Sequence, residues 1–154
     1  MSQEPPLPSQ VRARVLADHA KLRKSIAEIR SLLGAPTGRL ELADESQLAV
    51  ATRALLDSLE AHLALEDQIL LPTLATIDAW GPERARKLSA EHAAQRETLS
   101  SLRALLSTEG AWTFVPRLQR FLDRLERDME LEEAEELDES LLREYAIRAD
   151  LGGG

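Results

Sequence analysis

The sequence predicts an all-α fold, an up-down-up-down four-helix bundle, and three observations carry that prediction. Four long segments repeat apolar residues at helical spacing. Gly and Pro clusters punctuate the chain between them. Leu and Ala dominate while aromatics are only 3%, which favours helix because unbranched and small side chains lose little freedom there. Short connections then make consecutive helices antiparallel.

The first segment runs from about Val11 to Leu33, with Leu16, His19, Leu22, Ile26, Ile29 and Leu33 on one face. Gly34-Ala35-Pro36-Thr37-Gly38 ends it. The second spans about Asp44 to Ile77 and turns Leu55, Leu59, His62, Glu66, Ile69 and Thr73 inward. Asp44 and Gln47 have the spacing of a capping box, in which each side chain satisfies a free amide of the first turn. Gly81-Pro82 starts the third, where a missing N–H costs nothing; its face reads Leu88, His92, Gln95, Leu99, Leu102 and Leu106. In the fourth, Thr113 is the expected cap and Pro116 falls in the first turn, where it is tolerated. That helix is expected to continue through Leu118, Phe121, Leu125, Asp128 and Glu132 to about Tyr145. Residues 1–10 read as a flexible arm, 11–148 as the bundle and 149–154, ending in three Gly, as a disordered tail.

Composition narrows the function. The 154 residues carry 19 Lys plus Arg against 27 Asp plus Glu, a formal charge of −8, with three His and no Cys. An acidic chain without a basic patch repels phosphate, so nucleic acid is not an expected partner. The lack of Cys excludes disulfides, thiolate catalysis and iron–sulfur ligation. The polar, Pro-rich start does not read as a signal peptide and no apolar run reaches about 18 residues, so a cytoplasmic protein with no membrane partner is expected.

The strongest feature is an internal duplication. Residues 56–67 align without gaps against residues 122–133, with six of twelve positions identical, among them Leu59/Leu125, Glu60/Glu126 and Glu66/Glu132. The preceding helices match more weakly: Asp18-His19-Ala20 against Glu91-His92-Ala93, each His followed four residues later by Arg23 or Arg96. Two αα-hairpins related by a pseudo-two-fold axis follow. In that register all three His take equivalent bundle positions, and Asp128 stands where a fourth would be. Residues four apart share a helix face, so His62 and Glu66 can reach one ion together. Imidazole with carboxylate suits iron, zinc or manganese, and bridging carboxylates suit a pair of ions. Burying His19, His62, Glu66, His92, Asp128 and Glu132 without metal would cost several kcal/mol.

This order of motifs resembles the hemerythrin-like (HHE cation-binding) family: His on helix one, His-x-x-x-Glu on helix two, His on helix three and carboxylates on helix four. Asp18-His19-Ala20-Lys21-Leu22-Arg23 and the stretch His62 to Pro72 are typical of it. The resemblance covers roughly residues 11–145. It implies a bundle around a non-haem, usually di-iron, centre that meets oxygen, peroxide, nitric oxide or iron itself. The chain departs from the pattern in the second hairpin, with Asp128 where many members carry His and Arg96 where oxygen carriers have a second His. Reversible oxygen carriage is therefore not expected.

The assignment is His19, His62 and Glu66 to one ion and His92, Asp128 and Glu132 to the other, with the two Glu as bridges, although Glu133 adjoins Glu132 and competes for that role. Two irons are the expected cofactor, with zinc or manganese as alternatives, and the partner is a small-molecule oxidant or a metal ion. No catalytic residue is assigned, and a monomer or weak homodimer is expected. Leu16, Leu22, Leu59, Leu99 and Leu125 should form the dry walls. The competing reading is a structural or regulatory bundle that keeps one metal, or none, with an Arg96–Asp128 ion pair in a degenerate half-site. Glu135 and Glu136 are expected to face water, Met129 and Phe121 to fill the core, and Trp80 and Trp112 to cap the bundle ends. Tyr145 is given no redox role.

Overall fold

A computed structural model describes residues 4–34, 42–108 and 111–144, with the side chains of 42–44 and 111–113 outside the description. Four helices follow in order: α1 (Pro8–Leu33), α2 (Leu42–Ile77), α3 (Gly81–Thr108) and α4 (Ala111–Ala134). Each packs on its neighbour in sequence, and α1 closes on α4. Cross-helix ion pairs give the directions. Arg30 meets Asp123 and Glu126, Arg103 meets Asp57 and Glu60, and Lys87 meets Glu135. Later residues on one helix thus face earlier ones on the next, as the four-helix bundle requires.

The inward faces are those the periodicity marks. Leu22, Leu59, Leu99 and Leu125 are buried, while Leu16 is half-buried against the lower end of the bundle. What periodicity does not convey is that the apolar core is split in two. One cluster gathers Leu22, Ile26, Leu59, Leu63, Leu99, Leu125 and Met129 with the residues beyond them. The other gathers Val11, Val15, Ile69, Leu70, Leu74, Leu88, Leu137 and Leu142. Between them on each helix lies a polar position: His19, His62 with Glu66, His92 and Glu132. The bundle is two leucine-rich plugs with a layer of acids and imidazoles between them.

Several helix ends differ from expectation. α1 starts at Pro8, where Leu7 N–H donates to Gln10 Oε1 (3.0 Å), so residues 8–10 are helix rather than arm. It stops at Gly34, whose N–H donates to Arg30 O (2.9 Å). α2 and α4 begin upstream of Asp44 and Thr113, which therefore do not stand at the caps; their side chains lie outside the described residues. Pro116 consequently sits deeper than the first turn. α3 begins at Gly81 as read, with Gly81 buried against the end of α2. An added Cβ there would lie 2.1 Å from Leu74 O, so only Gly permits the approach.

The largest correction concerns α4, which ends at Ala134 and not near Tyr145. Carboxylates at Glu130, Glu132 and Glu133 crowd its last turn, where the helix dipole disfavours negative charge. Leu137 N–H turns back to Glu132 O (2.9 Å), and Asp138 Oδ1 accepts from Ser140 N–H (2.7 Å). The chain then folds under the bundle, burying Leu137 and Leu142. Arg12 Nε donates to Leu137 O (2.8 Å), and Ser9 bonds Glu144, tying this segment to α1. Glu136 is carried inside by the turn and is buried, contrary to the solvated position expected; Glu135 is exposed. Trp80 is 72% exposed, so its side chain is not packed over the bundle end as expected. Trp112 (side chain), Tyr145 and the tail lie outside the described residues.

Candidate metal centre

Each helix supplies one or two groups to the polar layer, because its inward stripe reaches mid-height at that point. His19, His62, Glu66 and His92 are buried, and Glu132 is 14% exposed. Ligand atoms of His19, His62, Glu66 and Glu132 all lie within 4.8 Å of one another. His62 Nε2 is 3.1 Å from Glu66 Oε1, the contact that His-x-x-x-Glu spacing sets up. His19 Nε2 is 3.9 Å from the same oxygen and 3.4 Å from Glu132 Oε1. His92 Nε2 approaches the other Glu66 oxygen, Oε2, at 2.9 Å. Glu66 thus presents one oxygen to the His19–His62 side and one to the His92 side.

These groups are brought together but not satisfied by one another. His19 Nε2, His92 Nε2, both Glu66 oxygens and Glu132 Oε1 are buried without a properly directed hydrogen-bond partner. Buried polar atoms are normally bonded, and an unsatisfied one costs about 1–3 kcal/mol. Lone pairs of imidazole and carboxylate that face each other are what a cation needs. The donor set therefore fits a metal ion, with N and O ligands of the kind iron, zinc and manganese accept.

Electrostatics carries the same signature. Burial and the adjoining Glu66 charge push the Glu132 carboxyl up to about 11. Burial also works to raise Glu66, but His62, His92 and Glu132 outweigh it and hold its carboxyl well below the usual range. Of two acids this close, one stays ionised and the other keeps its proton. Burial lowers His19, against the pull of Glu133. For His92 burial acts the same way, but Glu66 and Asp67 overcome it and raise it.

Asp128 is not among the group around Glu66. It is half-buried at the α3–α4 seam, where its Oδ2 accepts from Gln95 Nε2 (3.3 Å) and lies 3.9 Å from Arg124 Nε. Arg96 does not pair with it; Arg96 bonds Asp67 instead, so the Arg96–Asp128 bridge of the competing reading is not formed. Glu132 and Glu133 meet His19 from opposite sides. Glu132 turns in toward His19 Nε2, while Glu133 meets the back of the same ring, with Oε1 2.8 Å from Nδ1.

Two cavities open along the α3–α4 seam and share Ala94, Gln95, Arg124 and Asp128 as walls. One, of about 540 Å³, has a mostly apolar lining that includes Leu59, Leu102, Phe121 and Leu125, with Arg117 and Arg120 at its rim. The other, of about 230 Å³, reaches Glu132 and is bordered by Glu91, Glu135 and Glu136.

Sequence reasoning gave no role to Asp67, and it read Glu133 only as a rival ligand. The signal for both was present, since an acid directly follows the inward Glu in each copy of the repeat, Glu66-Asp67 and Glu132-Glu133. No helix among the described residues is long and apolar enough to cross a membrane.

Compared with curated proteins and with solved structures, the chain shows no significant match. The hemerythrin HHE cation binding domain matches residues 11–139, which take in α1 from Val11, all of α2, α3 and α4, and every residue of the polar layer. With that match and a cluster of His and Glu able to hold a metal, the chain belongs to the hemerythrin HHE cation-binding family.

Proposed function

We propose that this protein holds two irons at the polar layer and uses them to react with, or sense, oxygen, peroxide or nitric oxide, or to sense or store iron itself. The observation that carries the reading is Glu66, whose two oxygens face different imidazoles at 3.1 and 2.9 Å, as a bridging carboxylate must. His19, His62, Glu66 and Glu132 would hold the first ion. His92, the second Glu66 oxygen and Asp128, one turn before Glu132 on the same face, would hold the other. Iron held by these residues would supply Lewis acidity and electrons for chemistry on a small oxidant.

The chain's own residues prepare that chemistry. Leu22, Leu59, Leu63 and Met129 on one side and Val15, Ile69 and Leu88 on the other exclude water from the layer. The seam beside Gln95 and Asp128 offers a small molecule a route to Glu132. Carboxylate outnumbers imidazole on the second side, which favours oxidation or storage chemistry over reversible oxygen carriage. A cytoplasmic monomer or weak homodimer accommodates all of this.

A second reading has its own support. The four groups within 4.8 Å make a complete donor set for one ion, while His92 has Glu66 as its only close inward neighbour among the described residues. That arrangement supports a reading with one bound metal in a structural or regulatory bundle. Metal analysis separates the two. Protein produced with iron and purified without chelator should carry about two irons per chain and near-ultraviolet charge-transfer absorption that changes on adding peroxide. One metal per chain, or zinc without such bands, overturns the di-iron reading in favour of the second.

A further inference from the structure

Two of the three imidazoles are held from behind in the same way. His19 Nδ1 lies 2.8 Å from Glu133 Oε1, and Glu133 accepts from Arg23 Nη1 (2.7 Å) and Nη2 (3.0 Å). His92 Nδ1 lies 2.6 Å from Asp67 Oδ1, and Asp67 Oδ2 accepts from Arg96. The sequence arithmetic is identical: Arg four residues after His on one helix, and an acid directly after the inward Glu on the antiparallel neighbour. The first set joins α1 to α4 and the second joins α3 to α2, as the pseudo-two-fold axis demands. His62 differs. Its Nδ1 is 3.5 Å from Asp18 Oδ2, and among the described residues the only cation beside Asp18 is Lys21, at 3.8 Å.

We propose that Arg23–Glu133–His19 and Arg96–Asp67–His92 are matched positioning relays that fix the tautomer and aim of two ligating imidazoles, and so set the metal affinity of each half of the centre separately. An ionised carboxylate has only lone pairs to offer, so the proton of a neutral imidazole facing it sits on Nδ1, and the Nε2 lone pair is left pointing at Glu66 and Glu132. The guanidinium orients the carboxylate, through two parallel bonds from Arg23 to Glu133 and through one from Arg96 to Asp67. Arg23 and Arg96 are 39% and 43% exposed, so the relays end at the surface and can be altered without opening either leucine cluster. Outer partners of this kind typically change metal affinity about 10–100-fold. As ordinary surface ion pairs they would contribute little to folding and nothing to metal binding.

The proposal rests on the metal reading above, and its test keeps the two apart. Metal-stripped protein would be titrated with Co²⁺ against a competing chelator, following visible absorption, for wild type and for Glu133→Ala, Glu133→Gln, Asp67→Ala, Asp67→Asn, Arg23→Met and Arg96→Met. The alanine variants should weaken Co²⁺ about 10–100-fold and alter the spectrum. Glu133→Gln and Asp67→Asn, which keep an acceptor, should restore most of the affinity. Glu133→Ala and Asp67→Ala should each affect a different bound ion, with additive losses in the double variant. Unchanged affinity and spectrum in both alanine variants, beside lowered melting temperatures, would reduce the relays to packing and overturn the proposal. Wild type that takes up no Co²⁺ would instead overturn the metal reading. A second measurement needs no metal: ¹⁵N NMR of the stripped protein at neutral pH should show His19 in the Nδ1–H form, lost in Glu133→Ala. An Nε2–H form in wild type overturns the relay outright.

Discussion

Replacing Glu66 by Gln should act with opposite sign in the presence and absence of metal, and that reversal is the sharpest test of the centre. Glu66 is 1% exposed, with oxygens 3.1 Å from His62 and 2.9 Å from His92. As the proposed bridge it would contribute to both metal positions, and an amide offers one neutral oxygen where the carboxylate offers two charged ones. A metal present at about 100 times its dissociation constant stabilises the folded chain by about 2.7 kcal/mol. At about 2–4 °C per kcal/mol for a domain of this size, wild type should melt about 5–11 °C higher with metal than with chelator. Glu66→Gln should lose that difference. Without metal the balance reverses. The Glu66 charge is buried and forces Glu132 to keep a proton, so its removal should leave the stripped variant at least as stable as stripped wild type. Thermal unfolding followed by circular dichroism at 222 nm, with and without chelator, reads both effects. A variant that keeps the full metal-induced rise shows that Glu66 is no ligand. A stripped variant weaker by more than about 3 kcal/mol, the cost of breaking a well-formed buried pair, shows that the carboxylate serves His62 and His92 rather than an ion.

Asp128→Ala should cut bound iron from about two per chain to one, because the His19, His62, Glu66 and Glu132 group does not include it; unchanged stoichiometry by elemental analysis removes Asp128 from the ligand set. Glu136→Gln should raise stability at neutral pH. Burial first, then the charges of Glu135 and Glu91, raise the Glu136 carboxyl above its ordinary 4.5, so the folded chain keeps a proton that the unfolded chain releases. The folded state is then favoured at low pH and loses that advantage as pH rises past 4.5, so the gain from Gln should be large at pH 7 and vanish near pH 4 in urea melts. An equal gain at both pH values would contradict the buried-acid argument. Gly81→Ala should lower stability by about 1–3 kcal/mol, since its Cβ would sit 2.1 Å from Leu74 O and separate α3 from the end of α2. Denaturant titration checks this, and a loss under about 0.5 kcal/mol would show that the corner yields freely.

Much of this molecule was legible from residue order. The 3.6-residue period names the buried stripe of each helix, and His19, His62, Glu66 and His92 fall on those stripes at mid-height, where all four are buried. The duplication of residues 56–67 in 122–133 pointed to the pseudo-two-fold axis, and the paired relays now show that axis at the level of single hydrogen bonds. The unread parts share one cause. Glu132 and Glu133 are neighbours about 100° apart on a helix, so the period alone leaves both near the border of the inward face. Arg96 could reach an acid on either adjacent helix, and the structure gives it Asp67 on α2.

By itself, then, residue order determined four amphipathic helices, their alternating directions and the residue types that meet at the middle, because those depend on local periodicity and short connections. Tertiary structure alone decided how α4 rolls against α1, and hence that Glu132, already expected on the inward face, meets His19 Nε2 while its rival Glu133 braces the ring from behind. It also decided that α4 stops at Ala134, so that Leu137 and Leu142 fold beneath the bundle and carry Glu136 inside. Both outcomes depend on how one helix rolls and ends against another, a packing choice among contacts more than 100 residues apart that no local window contains.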